Sequence, residues 1–198
     1  MDELIDYWFA GWDDAAPSPD CMKTWFGRDA AIDTEIRTRF QEAHFCAARG
    51  ELAGWEATPR GQLALILLLD QVPRNIWRGT AHAFATDLLA LGLTQRCLAS
   101  GADAALSLIQ RQFVCMPLMH SESLAVHAEA KVAFEALAAL GEGRPEALAA
   151  TLRSGVDFEA RHVAIIERFG RYPHRNVVLG RESTPEELAF LKEPGSSF

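Results

Sequence analysis

The stretch Thr58-Pro59-Arg60-Gly61-Gln62-Leu63-Ala64-Leu65-Ile66-Leu67-Leu68-Leu69-Asp70-Gln71-Val72-Pro73 decides how this chain folds. Thr58 offers a hydroxyl at an N-cap, and Pro59 stands at the first helical position, where its missing N–H costs nothing. Residues 63–69 are then apolar on every side. A helix without a polar face must be surrounded by others, so this one is placed at the centre of the fold. Pro73 disfavours helical geometry at Val72 and is expected to end the helix there.

Outward from this centre the hydrophobic period is helical almost throughout. Ile32, Ile36 and Phe40 recur at four-residue steps, with Gly50 as a stop. Leu106, Ile109, Phe113 and Met116 form a second stripe, and Val126, Ala130, Ala133, Leu137 and Leu140 a third, closed by Gly141. Leu148, Leu152, Val156, Phe158, His162, Ile165 and Phe169 form a fourth, stopped by Gly170. Thr184-Pro185-Glu186-Glu187 reads as a capping box opening a last helix. The one β-prone run, Val177-Val178-Leu179, is cut short by Gly180. The expected class is all-α: an irregular array of about seven to nine helices in antiparallel αα pairs joined by short loops. The expected boundaries are a single domain over 1–192 and a frayed tail over 193–198.

Composition narrows the function. Of 198 residues, 49% are hydrophobic and 23% charged, the profile of a globular protein. A formal net charge of −8 argues against a broad grip on nucleic-acid phosphates, and no apolar run is long enough for a membrane span. The acidic start Met1-Asp2-Glu3 lacks the basic region of a secretory signal. Cys21, Cys46, Cys97 and Cys115 are scattered without paired spacing, as expected of free thiols in a reducing, cytoplasmic setting. Trp8, Trp12, Trp25, Trp55 and Trp77 lie in the first 77 residues, where core wedging is the expected role.

Several polar residues stand where burial is expensive. Asp70 ends the most apolar helix, where the dipole disfavours a carboxylate, and so needs a partner; Arg74 and Arg175 are the candidates. His120 and His162 both fall in register with apolar stripes. Either can be a hydrogen-bonded core residue or an acid–base group, and Glu122 lies beside the first. Glu159-Ala160-Arg161-His162 has the helical spacing of a carboxylate–imidazole metal motif, but no second copy exists in the chain, and no metal or other cofactor is expected. The run Arg168-Phe169-Gly170-Arg171-Tyr172-Pro173-His174-Arg175-Asn176 is the densest polar stretch. Its guanidinium groups either cap a helix end or receive a carboxylate or phosphate.

Certain motifs resemble one family throughout the chain: Trp25-Phe26-Gly27, Thr58-Pro59-Arg60-Gly61, Leu68-Leu69-Asp70-Gln71-Val72-Pro73-Arg74-Asn75-Ile76, Phe84-Ala85-Thr86-Asp87, Met116-Pro117-Leu118-Met119-His120-Ser121-Glu122 and the run 168–176. In this order they are similar to the family called domain of unknown function 924. The resemblance implies a tetratricopeptide-like αα superhelix and no established activity. Val72 and Tyr172 stand where that pattern leads one to expect phenylalanine.

The motifs fall on helix ends and turns, where function is commonly hosted. Asp70, Arg74, Asn75, His120, Glu122, Arg171, His174, Arg175 and Asn176 are therefore expected to form one spatial cluster. Its leading reading is a binding module, with Asp70, Arg74, Asn75, Arg171, Arg175 and Asn176 lining a groove for an anionic small molecule or acidic peptide. The alternative is a hydrolase or lyase on an anionic metabolite, with His120, His174 or Glu122 as acid–base group. A structural scaffold held by ion pairs is the third reading.

Overall fold

In the computed structural model, which describes residues 1–10, 12 and 18–197, every regular element is helical. The α segments are α1 (Asp2–Trp8), α2 (Pro19–Phe26), α3 (Ala30–Ala48), α4 (Pro59–Ile66), α5 (Val72–Ile76), α6 (Asp87–Ser100), α7 (Leu108–Met119), α8 (Leu124–Leu140), α9 (Glu146–Phe169) and α10 (Pro185–Phe190). A π turn, Leu67–Gln71, joins α4 to α5, so these two form one continuous helix and the described residues contain nine. None is long and apolar enough to cross a membrane.

The all-apolar stretch is indeed the centre. Each residue from Leu63 to Leu69 is at most 3% exposed, and α4 packs against both α6 and α7. Thr58 caps it by accepting from the Gly61 N–H at 3.1 Å. Gly61 is required by close approach: a Cβ there would lie 2.0 Å from the Trp55 carbonyl oxygen. The N-terminal tryptophans pack as wedges. Trp8 and Trp25 are buried, and the Trp25 indole donates to Trp8 O at 2.7 Å.

Pro73 does not end this helix, contrary to the sequence expectation, and backbone accounting shows why. The Val72 N–H bonds Leu67 O, one residue further back than in an α-helix. Leu68 O thereby loses its α-helical donor, and Leu69 O has none because residue 73 is proline. Side chains supply both. His44 Nδ1–H donates to Leu68 O at 2.7 Å and Thr86 Oγ1–H to Leu69 O at 2.6 Å, while the Arg74 guanidinium donates to Asp70 O. The helix passes through proline because three carbonyls in succession are capped from outside.

The C-terminal half is built from α7, α8 and α9 packed in succession. Here the buried faces follow the apolar stripes read in the sequence only in part. In α8 the buried residues are His127, Ala130, Phe134 and Leu137, while Leu140 is exposed. In α9 they include Leu148, Leu152, His162 and Ile165 of the stripe together with Gly155, Glu159 and Ile166, while Phe158 is 43% exposed. A polar pair lies across the interface among these residues: the carboxylate of Glu159 meets the ring of His127 at 2.7 Å. Gly155 lets α8 approach, since a Cβ there would meet the Phe134 ring at 3.0 Å.

Helix α9 ends at Gly170, in the left-handed conformation, and α10 opens with the Thr184–Glu187 capping box and Pro185. In the described part of the tail, Ser196 is buried and its hydroxyl donates to Leu191 O at 3.2 Å. Phe198 lies outside the described residues. All four cysteines are free, three of them buried.

The proline passage yields a stability prediction. Replacing Thr86 by valine keeps the shape but strips the donor from the buried Leu69 carbonyl, and is expected to cost about 1–3 kcal/mol in urea unfolding. Thr86→Ser, which keeps the hydroxyl, is expected to cost less than half of that. Equal losses would mean that the hydrogen bond contributes nothing.

Candidate functional site

Asp70 sits inside the π turn with no solvent exposure at all. An unpaired carboxylate in that position would be strongly destabilising, and three donors converge on it. Gln71 Nε2 donates to Oδ2 at 2.6 Å; His120 Nδ1 lies 2.7 Å and Arg74 Nη1 3.1 Å from Oδ1. Burial raises the carboxyl pKa, but Arg74, His120 and Gln71 outweigh it and hold Asp70 well below the usual carboxylate range. His120 is the C-cap of α7, delivered there by the helix end that follows Pro117.

Arg74 extends the network. Its Nη2 donates to Asp87 Oδ2 at 3.0 Å, and Asp87 is in the first turn of α6, where the dipole favours a carboxylate. Arg175, from the turn after α9, donates from Nη1 to the same Asp87 oxygen at 3.2 Å. Its guanidinium carbon lies 4.5 Å from the Phe84 ring centroid and 4.6 Å from that of Tyr172, a stacked and nearly dry position. Two carboxylates, Asp70 and Asp87, thus face two guanidinium groups, Arg74 and Arg175. Arg74 is spent on these partners, whereas the buried Nε of Arg175 has no acceptor among the described residues.

The imidazoles are held neutral. Burial and then Arg74 keep His120 below its ordinary value despite Asp70. A neutral ring donating from Nδ1 to Asp70 leaves the Nε2 lone pair, which has no protein partner among the described residues, on a side chain that is 11% exposed. The His162 ring lies 6.3 Å from His120 and 5.7 Å from Tyr172, and burial pushes it down to about 3. His174, 5.6 Å from the Tyr172 ring, is pushed down to about 4 by burial and by Arg175. Glu122 borders this group: it accepts from the Tyr172 N–H at 2.7 Å and takes Arg181 on both oxygens at 2.7 and 2.9 Å.

Of the nine residues expected together, the structure gathers Asp70, Arg74, His120 and Arg175, with His174 and Glu122 at the edge around Tyr172. Three are elsewhere. Asn75 donates to Asp33 on the other side of α5, and Arg171 clamps Glu187 in α10 at 2.7 and 2.9 Å. Asn176 is fully buried, accepting from Arg181 and donating to Ser183. The carboxylate–imidazole motif does not converge either: Glu159 binds His127, and His162 donates to Phe158 O. Sequence reasoning missed Gln71, Phe84, Asp87, Tyr172 and Arg181. The motif Phe84-Ala85-Thr86-Asp87 was the available signal for two of them; nothing in helical periodicity marks the others.

Two hollows flank this cluster rather than containing it. One, of about 360 Å³, is lined by Asp33, Arg37, Asn75 and Trp77 among others; the second, of about 460 Å³, lies between α8 and α9.

Comparison with known proteins adds a family and a fold. A family model described as a bacterial protein of unknown function (DUF924) matches residues 4–195. A solved structure of a protein of unknown function, ATU0120 from Agrobacterium tumefaciens, is similar at 40% identity over 96% of each chain, with a TM-score of 0.79. Among curated proteins no match was found.

The depressed imidazoles predict how stability varies with pH. Between the ordinary histidine value of 6.5 and about 4, the unfolded chain binds protons that His162 and His174 refuse in the folded state. Stability therefore falls as the pH falls through this window, by about 1.4 kcal/mol per pH unit for each such group. Loss of the carboxylate contributions begins only below the ordinary values of 4.5 for Glu122 and 3.8 for Asp70. Chemical denaturation in steps from pH 7.5 to 4.5 reads the slope, and His162→Gln should remove its share. A flat profile across this range would contradict the burial of neutral imidazoles.

Proposed function

This chain belongs to the DUF924 family of bacterial proteins of unknown function, and since that membership assigns no chemistry, we propose from the geometry that its Asp70–His120 pair is a proton-transfer site acting on an anionic small molecule. The observation that carries the reading is the 2.7 Å contact of His120 Nδ1 with a carboxylate that has no solvent exposure. Asp70 is fixed by two further donors, so it sets the tautomer and direction of the ring, and His120 presents its Nε2 lone pair as a general base. Arg175, whose Nε has no acceptor among the described residues, is the group that receives the ligand's carboxylate or phosphate. The reaction class is hydrolysis or elimination, in which a base removes a proton from water or from the ligand and the guanidinium stabilises the charge that develops.

The successive packing of α6 on α7, α7 on α8 and α8 on α9 supports the αα-array form of tetratricopeptide type, and the free cysteines support a reducing, cytoplasmic setting. A second reading, a structural scaffold, is favoured by one observation: the two carboxylates and two guanidinium groups of the cluster balance, as in an ion-pair lock between helix ends.

Long-range ¹⁵N NMR of the histidines, together with turnover screening against phosphate- and carboxylate-bearing metabolites, separates the two. A proton-transfer site requires that His120 be the neutral Nδ1–H tautomer at pH 7, that an anionic ligand move its ring resonances, and that His120→Gln lower turnover by about 10²–10⁴-fold while the fold persists. Asp70→Asn should flip the tautomer. If no anion perturbs His120 and both variants lose only stability, the scaffold reading stands.

A further inference from the structure

The second hollow, between α8 and α9, is separate from the Asp70–His120 pair and has a different chemistry. Its walls include Phe134, Val156 and Val163; Glu159 and His127 also line it. His127 Nδ1 lies 2.7 Å from Glu159 Oε1, and its Nε2 lies 2.9 Å from the Ser121 carbonyl oxygen and 3.2 Å from the Tyr172 hydroxyl. That accounts for one carboxylate oxygen only. The other, Oε2, is buried without a donor among the described residues, on a side chain that is nine-tenths buried and more. A buried carboxylate oxygen is an acceptor for N–H or O–H, and leaving it unmatched is costly.

The rim repeats the preference. Glu135 and Glu167 line the opening, and the one lysine there, Lys131, is already paired with Glu135. An anion is disfavoured on these walls, and a fully hydrated inorganic cation gains nothing from the apolar ones. A cation with a hydrocarbon body satisfies both surfaces, and about 460 Å³ is ample for one of about five or six heavy atoms. We propose that this hollow binds a primary alkylammonium ion, with Glu159 accepting from the ammonium group and Phe134, Val156 and Val163 covering the chain.

The test uses the full chain and n-butylammonium or 1,4-diaminobutane as probe, with butyrate and sodium chloride as controls, read by amide shifts of Ala128 and Val163. Saturable shifts with the amines and none with butyrate are expected. Glu159→Gln keeps an amide oxygen for His127 but turns the orphaned acceptor into a donor, and should weaken the amine by at least tenfold. Because that variant alters a buried pair, Ala160→Trp is made in parallel: it fills the hollow from an exposed helix position and should abolish binding with the fold intact. No saturable shift, an equal response to butyrate, or undiminished binding by Ala160→Trp would each overturn the assignment. His120 resonances are expected to stay unmoved by the amines, so failure here leaves the proton-transfer reading to its own test.

Discussion

A carboxylate without solvent, Asp70 in the π turn of the most apolar helix in the chain, sets the terms for much of the surrounding structure. Its burial would be untenable alone, so side chains from other parts of the sequence must come to it, and each brings a length of backbone with it. His120 brings the end of α7, fifty residues away, and Arg74 reaches Asp87 at the start of α6. Asp87 then holds Arg175, eighty-eight residues further on, and with it the turn after α9. Hydrophobic burial packs these helices in succession, but it is indifferent to which helix ends meet. The ion pairs decide that, because a misplaced end would strand a charge rather than merely loosen a contact.

The same place is where the backbone departs from regular helix, and the two facts have one origin. Proline at 73 removes a donor, the π turn diverts another, and the chain remains helical only because His44, Thr86 and Arg74 supply replacements. Arg74 therefore has two tasks, capping the Asp70 carbonyl and neutralising the Asp70 carboxylate. The residue that keeps the turn helical is also the one that keeps its charge in place.

How much of this could be read from the sequence follows from the range of each interaction. The central helix, its Thr58–Pro59 start and the last capping box are local patterns, and they were legible. The end at Pro73 was misjudged because its remedy comes from residues 44 and 86, which no local pattern connects to it. The faces of α8 and α9 are legible only in part for a related reason. Of the apolar stripes, Ala130, Leu137, Leu148, Leu152, His162 and Ile165 are buried, whereas Leu140 and Phe158 are exposed and the mutually bonded His127 and Glu159 are buried in addition. Asp70 and Arg175 were identified from the cost of burying charge, but Asp87, the carboxylate between Arg74 and Arg175, carries no mark in its own neighbourhood except a motif. Asn75, Arg171 and Asn176 show the converse: proximity in sequence to a site residue does not put a side chain on the same side of a helix.

Two acid–imidazole pairs are linked through the Tyr172 and His162 rings, and comparing them shows what makes a pair useful. In both, the carboxylate oxygen to Nδ1 distance is 2.7 Å. The difference lies at the second nitrogen. For His127, Nε2 faces the Ser121 carbonyl, so the ring is held on both sides and has no position at which to exchange a proton with a ligand. For His120, Asp70 fixes one nitrogen and nothing in the described chain takes the other. Arg74 adds a second effect. By standing against Asp70 it prevents that carboxylate from pulling a full proton onto the imidazole, and with burial it keeps the ring neutral. A histidine oriented by an anion, yet kept unprotonated by burial and by that anion's own counter-ion, stands in the form a general base needs, whereas the same pairing sealed at both ends serves the packing of α8 on α9.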